Sequence, residues 1–190
     1  MDRTIRTIPA TVRAAARTFG EAAAVAEPGG QVLSYRGLHD RVREVAGALI
    51  TSGIEPGDRV AIWSPNTHHW VLAGLGALHA GATLVPVNTR FTGPEGLDAI
   101  SRSRATALFV AGPFLGADRN ALLAAAAAAA GAGTGLPAPI VQLPVESAAA
   151  PAAPPARATP RLAGRTFWPG RRGFQGQRPT NGPPPSPRQP

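Results

Sequence analysis

At 190 residues with a formal net charge of +8, the chain has room for one ordinary domain and the bulk charge of a nucleic-acid or membrane binder. Its distribution removes that suggestion from most of it: all 11 acidic residues and twelve arginines lie in 1–146, while 147–190 hold seven arginines and no acid. Zero cysteines exclude disulfides, thiolate nucleophiles and cysteine-bound zinc, and with every basic residue an arginine there is no lysine for a Schiff base or a phosphate.

The opening MDRTIRTIPATVRAAARTF lacks the unbroken apolar stretch of a secretory signal. A transit peptide would share its arginines, but an amphipathic helix with Ile5, Ile8, Val12 and Phe19 inward accounts for the spacing. Residues 22–27 and 31–34 flank Pro28-Gly29-Gly30, which reads as a hairpin turn. Ser34 can cap a helix whose Leu38, Val42, Val45, Leu49 and Ile50 recur at helical steps, and Gly53 stands where a left-handed helix stop belongs.

Glu55-Pro56-Gly57-Asp58 makes a turn, and RVAIWS at 59–64 is a near-continuous apolar strand, typical of a parallel sheet covered on both faces. A helix follows at 67–80, with Val71, Leu75 and Leu78 as the expected core stripe and Gly74, Ala77 and Gly81 as the close-packing side. The apolar run 71–87 therefore splits into a helix end and a strand at 83–87 and is not expected to cross a membrane. Thr92, Pro94 and Glu95 have capping-box spacing ahead of Leu97 and Ile100. Further strands are expected at 106–111 and 140–143, with an alanine-rich helix at 122–130 between them. This β-α alternation predicts an α/β fold with a partial, mostly parallel sheet and flanking helices.

Beyond Glu146 the pattern ends. Residues 147–190 contain eleven prolines and, as branched aliphatics go, only Leu162, too little apolar surface to offset ordering, so a disordered tail is expected. The expected division is 1–146 folded and 147–190 tail. With the heavy alanine, glycine and proline use of GC-rich coding sequence, the tail fits a frameshift product. Its arginines interleaved with Phe167, Trp168 and Phe174 leave RNA binding as an alternative.

Taken in order, Ser34-Tyr35, the PGDRVA turn within 53–61, Ser64-Pro65-Asn66, Ala80-Gly81-Ala82, the VPVNTR strand end at 85–90 and the Thr92/Glu95 box resemble the N-terminal region of AMP-forming acyl-CoA synthetases. The segments IWSPNTHHWV, VPVNTRFT and FLGADR are most similar to actinobacterial ligases for the propanoate side chain of degraded steroid rings. The resemblance implies ATP, Mg and CoA as cofactors and a small-molecule carboxylic acid, a steroid-ring acid or a fatty acid, as substrate. It also implies a phosphate loop, metal and ribose carboxylates and a C-terminal lysine, none of which occurs here. The chain is therefore expected to be a truncated ligase, inactive alone, or else a complementing module for a separate ligase body. A cytoplasmic location is expected, with self-association through an exposed sheet edge and no nucleic-acid partner.

By analogy with acetate-activating relatives, Arg119 is a candidate contact for the nucleotide phosphate of CoA, with Thr89 and Arg90 nearby; a guanidinium can grip phosphate through two parallel hydrogen bonds. The alternative is that these are surface arginines. His68 and His69 point about 100° apart on a helix and do not share a metal-ligating face. Trp63 and Trp70 read as packing residues, and Gly112, Gly116 and the glycines of 131–135 do not form a dinucleotide-binding loop. No catalytic residue and no metal ligand is expected in the chain.

Overall fold

A computed structural model describes residues 7–27, 30, 32–114, 116–131 and 135–145. Ile5, the Pro28-Gly29 turn residues and the whole Pro/Arg-rich tail lie outside the described residues, as does the second of the two compact units, Pro155–Pro190.

Helix α1 (Ile8–Phe19) opens on a Thr7 cap and is followed by a hairpin of β1 (Ala23–Ala26) and β2 (Val32–Ser34), paired antiparallel. Ser34 then caps α2 (Tyr35–Thr51), its hydroxyl accepting from the Gly37 amide at 3.1 Å. Next come β3 (Arg59–Trp63), α3 (His68–His79), β4 (Thr83–Pro86), α4 (Gly93–Ser103), β5 (Ala107–Ala111), α5 (Arg119–Ala130) and β6 (Ile140–Leu143). The four later strands form one parallel sheet in the order β4-β3-β5-β6. This is the expected α/β architecture, and the 71–87 run splits as expected. Among the described residues no helix is long and apolar enough to cross a membrane.

Side chains alternate along β3 and β5, so each strand feeds two cores. Val60, Ile62 and Phe109 join Ala46, Leu49, Ala73 and Ala77 under α2 and α3. Ala61, Trp63, Leu108 and Val110 join Leu97, Ile100, Leu123 and Ala126 under α4 and α5. Both faces are covered at the sheet centre, which is why β5 is buried along its whole length.

Helices α2 and α3 stop by the same device. Past α2, the amide of Gly53 (φ 88°) bonds to Ile50 and that of Ile54 to Leu49, both at 3.0 Å. Past α3, the amide of Gly81 (φ 84°) bonds to Leu78 at 3.2 Å and that of Ala82 to Ala77 at 3.0 Å. In each case a left-handed glycine turns the chain while the next amide satisfies a carbonyl three positions inside the helix. Ile54 and Ala82 are then buried in the core shared with Leu49 and Ala77, which anchors both stops.

Three expected faces are corrected. On α1, Ile8 and Phe19 are 51% and 54% exposed; Ala16 is the buried residue, and Phe19 instead stacks on Tyr35 at 5.0 Å between ring centroids. On α2, Leu38, Val42 and Leu49 are buried as expected and Val45 packs against the core, but Ile50 is 57% exposed. It lies a full 100° step beyond Leu49, and Ala46 fills the face instead. On α3 the larger Val71, Leu75 and Leu78 are half-buried, while Ala73, Gly74, Gly76 and Ala77 are buried. Contact with α2 is so close that a Cβ on Gly76 would lie 2.4 Å from Val45 Cγ1; at Gly74 nothing would be nearer than 3.4 Å. Proximity, not hydrophobicity, selects the inward side of α3.

Candidate functional site

Parallel α/β sheets present loops at the carboxyl ends of their strands, and there ligands gather. Here those loops include 64–67 after β3, 87–92 after β4 and 112–118 after β5. Trp63, the last residue of β3, is wholly buried, and its indole N–H donates to the Asn88 carbonyl at 3.0 Å. The strand end thereby grips the loop after β4. Asn88 in turn accepts the Arg90 amide on its Oδ1 at 3.0 Å, and Thr92 and Glu95 close the loop with the expected capping box. Glu95 accepts from the Thr92 amide at 2.8 Å, and these Thr92 bonds hold its carboxyl below the usual range.

From the other side of this loop comes Arg119. Helix α5 begins three residues before the expected 122, because Asp118 caps it by accepting from the amides of Asn120 and Ala121. Arg119 is its first residue and is 6% exposed, so it is not a surface arginine. Its Nη2 donates to the Thr89 carbonyl at 2.9 Å, and the guanidinium carbon lies 5.4 Å from the Phe114 ring centroid, a cation–π distance. Nε and Nη1 are sealed from solvent with no acceptor among the described residues, and burial lowers the group's pKa. Arg90, by contrast, is exposed. The structure therefore brings Thr89, Arg90 and Arg119 together, but with different access to solvent.

Two polar clusters stand apart from this loop. His68 is buried at the start of α3; its Nδ1 meets Glu27 Oε2 at 2.9 Å, and its backbone amide donates to Glu27 Oε1. Helix α3 has no acidic residue in its own first turn, so the hairpin lends a carboxylate to its positive end. Burial pushes the Glu27 carboxyl up, yet the bonds from His68 and the charges of His68 and His69 outweigh it and leave the pKa lowered. The spacing of the histidines held no signal for this partner 41 residues away. The second cluster joins His39 of α2 to His79 of α3, their rings 6.2 Å apart; burial lowers the His79 pKa, with His39, Arg13 and Arg43 adding to it.

Among the described residues no three His, Asp or Glu side chains stand together as a donor set for a metal, so none is assigned to Mg. A groove of about 770 Å³ runs beside α4, lined by Phe91, Glu95, Asp98 and Arg102, but Glu95 is committed to the cap and Asp98 to Arg102 at 3.3 Å. Its charged groups are already paired.

A family model described as AMP-binding enzyme matches residues 12–189. The chain is 56% identical over 117 residues to a 3-[(3aS,4S,7aS)-7a-methyl-1,5-dioxo-octahydro-1H-inden-4-yl]propanoyl:CoA ligase of Rhodococcus jostii (strain RHA1), covering 62% of this chain and 22% of that protein. With a ligase of the same name from Mycobacterium tuberculosis it shares 46% identity over 145 residues, covering 75% and 27%. A solved Mycobacterium tuberculosis fatty acyl CoA synthetase overlays at a TM-score of 0.66 and 25% identity, covering 75% of this chain and 27% of that one. This chain thus spans 22% and 27% of the length of those two curated relatives. The family match, the identities and the overlay agree: the chain belongs to the AMP-binding enzyme family, the adenylate-forming acyl-CoA synthetases.

Proposed function

We propose that this chain is the N-terminal portion of an ATP-dependent ligase that joins a steroid-ring propanoate to CoA, and that it has no ligase activity alone. The carrying observation is its identity of 56% and 46% to two ligases named for the same bicyclic propanoate. In this reading 1–146 is the folded portion and 147–190 a separate tail. The portion supplies a sheet and the loop after β4, where Thr89 and Arg90, with Arg119 behind them, meet the nucleotide phosphate of CoA. ATP and Mg are held by residues of the remaining ligase body, which also carries the acid pocket.

Reconstitution tests this. The chain alone should give no ATP–pyrophosphate exchange with the bicyclic propanoate, and exchange by the pure chain would overturn the inactive reading. Co-expression with the remaining portion of the Rhodococcus jostii relative should restore CoA thioester formation with that acid. A chain that folds but neither associates nor restores turnover would remove the ligase reading.

A further inference from the structure

Helices α1, α2 and α3 meet around a group of basic side chains. Arg13 comes from α1, His39 and Arg43 from α2, and His79 from the last turn of α3; the charges of the first three all bear on His79. Asp40 offers its carboxylate to His39, 3.4 Å from Nδ1. The His79 ring stands edge-on to that of His39, 6.2 Å between centroids, and its own Nδ1 is sealed from solvent with no hydrogen-bond partner among the described residues.

A neutral imidazole tolerates this setting, because one of its two ring nitrogens is a bare acceptor. An imidazolium does not. Both nitrogens then carry N–H, and the donor at Nδ1 would be buried without an acceptor, under the charges of Arg13 and Arg43. The negative end of α3 pulls the other way, since it favours a cation in the last turn. Burial, helped by His39, Arg13 and Arg43, outweighs it, and the His79 pKa is lowered from 6.5.

Taking up a proton at Nδ1 therefore requires the junction to open, and α1 is the piece that can lift. It packs on α2 and α3 with Ala16 as its buried residue. Its far end is tied separately, by the Phe19–Tyr35 ring contact and by the Gly20 carbonyl, which accepts from the Arg36 amide at 3.0 Å. Among the described residues no side-chain hydrogen bond or ion pair joins the turn around Arg13 to α2 or α3. We infer that His79 is an acid-sensitive latch: while its ring is neutral the middle of α1 stays down on α2 and α3, and protonation at Nδ1 releases it. The latch is independent of the ligase reading above.

The folded pKa lies below 6.5, so the open junction binds the proton more readily than the closed one. The hold on α1 is complete above 6.5 and is lost as the pH falls from there toward the folded value. Glu27, at the other end of α3, titrates below 4.5 and stays out of that window.

Amide exchange of the full chain between about pH 7.5 and 5.5, corrected for the intrinsic rate, tests this with α4 as internal reference. Protection at residues 12–16 should fall relative to α4 by up to about tenfold per pH unit below 6.5. His79→Phe loses no hydrogen bond at Nδ1 and should flatten the profile, leaving α1 protected throughout. His79→Gln, smaller and equally uncharged, should flatten it too, which keeps the test decisive if phenylalanine overfills the junction. His39→Phe should retain the fall, since the ring that must not charge is still present. A fall that persists in both His79 variants, or that vanishes in His39→Phe, would overturn the proposal. So would a wild-type chain in which α1 and α4 follow the same profile.

Discussion

Under α2 and α3 the sheet is covered by short side chains, whereas under α4 and α5 it is covered around one large one. The first core uses Ala46, Ala73, Ala77, Ala80 and Gly76 to bring two helices nearly into backbone contact. The second is arranged on Trp63, with Gly96 so close that a Cβ there would lie 2.6 Å from the indole Cη2. Glycine serves both, once to admit a neighbouring helix and once to admit a ring. Close packing can be reached from either direction, but the two solutions fail differently: one by overfilling, the other by leaving a hole.

Emptying the second core should give the largest effect. Trp63→Ala should cost about 3–5 kcal/mol in denaturant unfolding. Because the indole N–H also holds the Asn88 carbonyl, the variant should speed amide exchange in the loop after β4 beyond what general destabilisation produces. Equal loosening on both sides of the sheet would mean that the two cores do not fail differently.

Overfilling the first core comes next. Gly76→Ala should cost about 1–3 kcal/mol, because the new methyl meets Val45 Cγ1 and also its Cβ, which is fixed to the α2 backbone and cannot swing away. Val45→Ala in the same chain should return part of that loss, with a coupling of about 1 kcal/mol in a double-mutant cycle. Strict additivity would show that the helices are not limited by this contact.

A smaller effect sharpens the comparison at the edge of the first core, where Glu27 meets the start of α3. Its folded pKa is lowered from 4.5, so the stability it contributes is fully present above that value and is lost as the pH falls through the folded pKa. Glu27→Gln should cost about 1 kcal/mol at neutral pH. The gap between wild-type and variant melting temperatures should close as the pH drops below 4.5. A gap constant down to lower pH would mean that shape, not charge, holds the hairpin to α3.

Legibility in the sequence followed the range of the interaction. Caps and stops at Ser34, Gly53, Gly81 and Thr92 were readable because each involves atoms within a few residues, and all four are present. The buried strands at 59–64 and 106–111 were readable from apolar runs. The inward side of α3 was not, because nearness to α2 decided it and sequence carries no distances. Helix α4 ends on Arg104, left-handed at φ 53° with its carbonyl accepting from Arg59 Nε at 3.1 Å, so no glycine marks that stop. At the site, analogy brought Thr89, Arg90 and Arg119 to one loop. That Arg119 is sealed while Arg90 is open depends on its packing against Phe114 and on the Thr89 carbonyl 30 residues away, for which there is no local signature; the early start of α5 does have one, the Asp118 cap.

The matching helix stops have an evolutionary consequence. The Gly57 amide bonds to the Gly81 carbonyl at 3.0 Å and the Thr83 amide to the Asp58 carbonyl at 2.6 Å, just before Arg59 pairs with Thr83. The two turns act as a gauge that sets strand alignment from outside the sheet. Inserting or deleting a single residue between Gly53 and Asp58 would offset β3 by one position and exchange the side chains meant for its two faces. Away from the left-handed Gly53, Gly57 and Gly81, substitutions in those turns can therefore be absorbed, while changes in their length cannot, and homologous chains should vary there in composition but not in spacing.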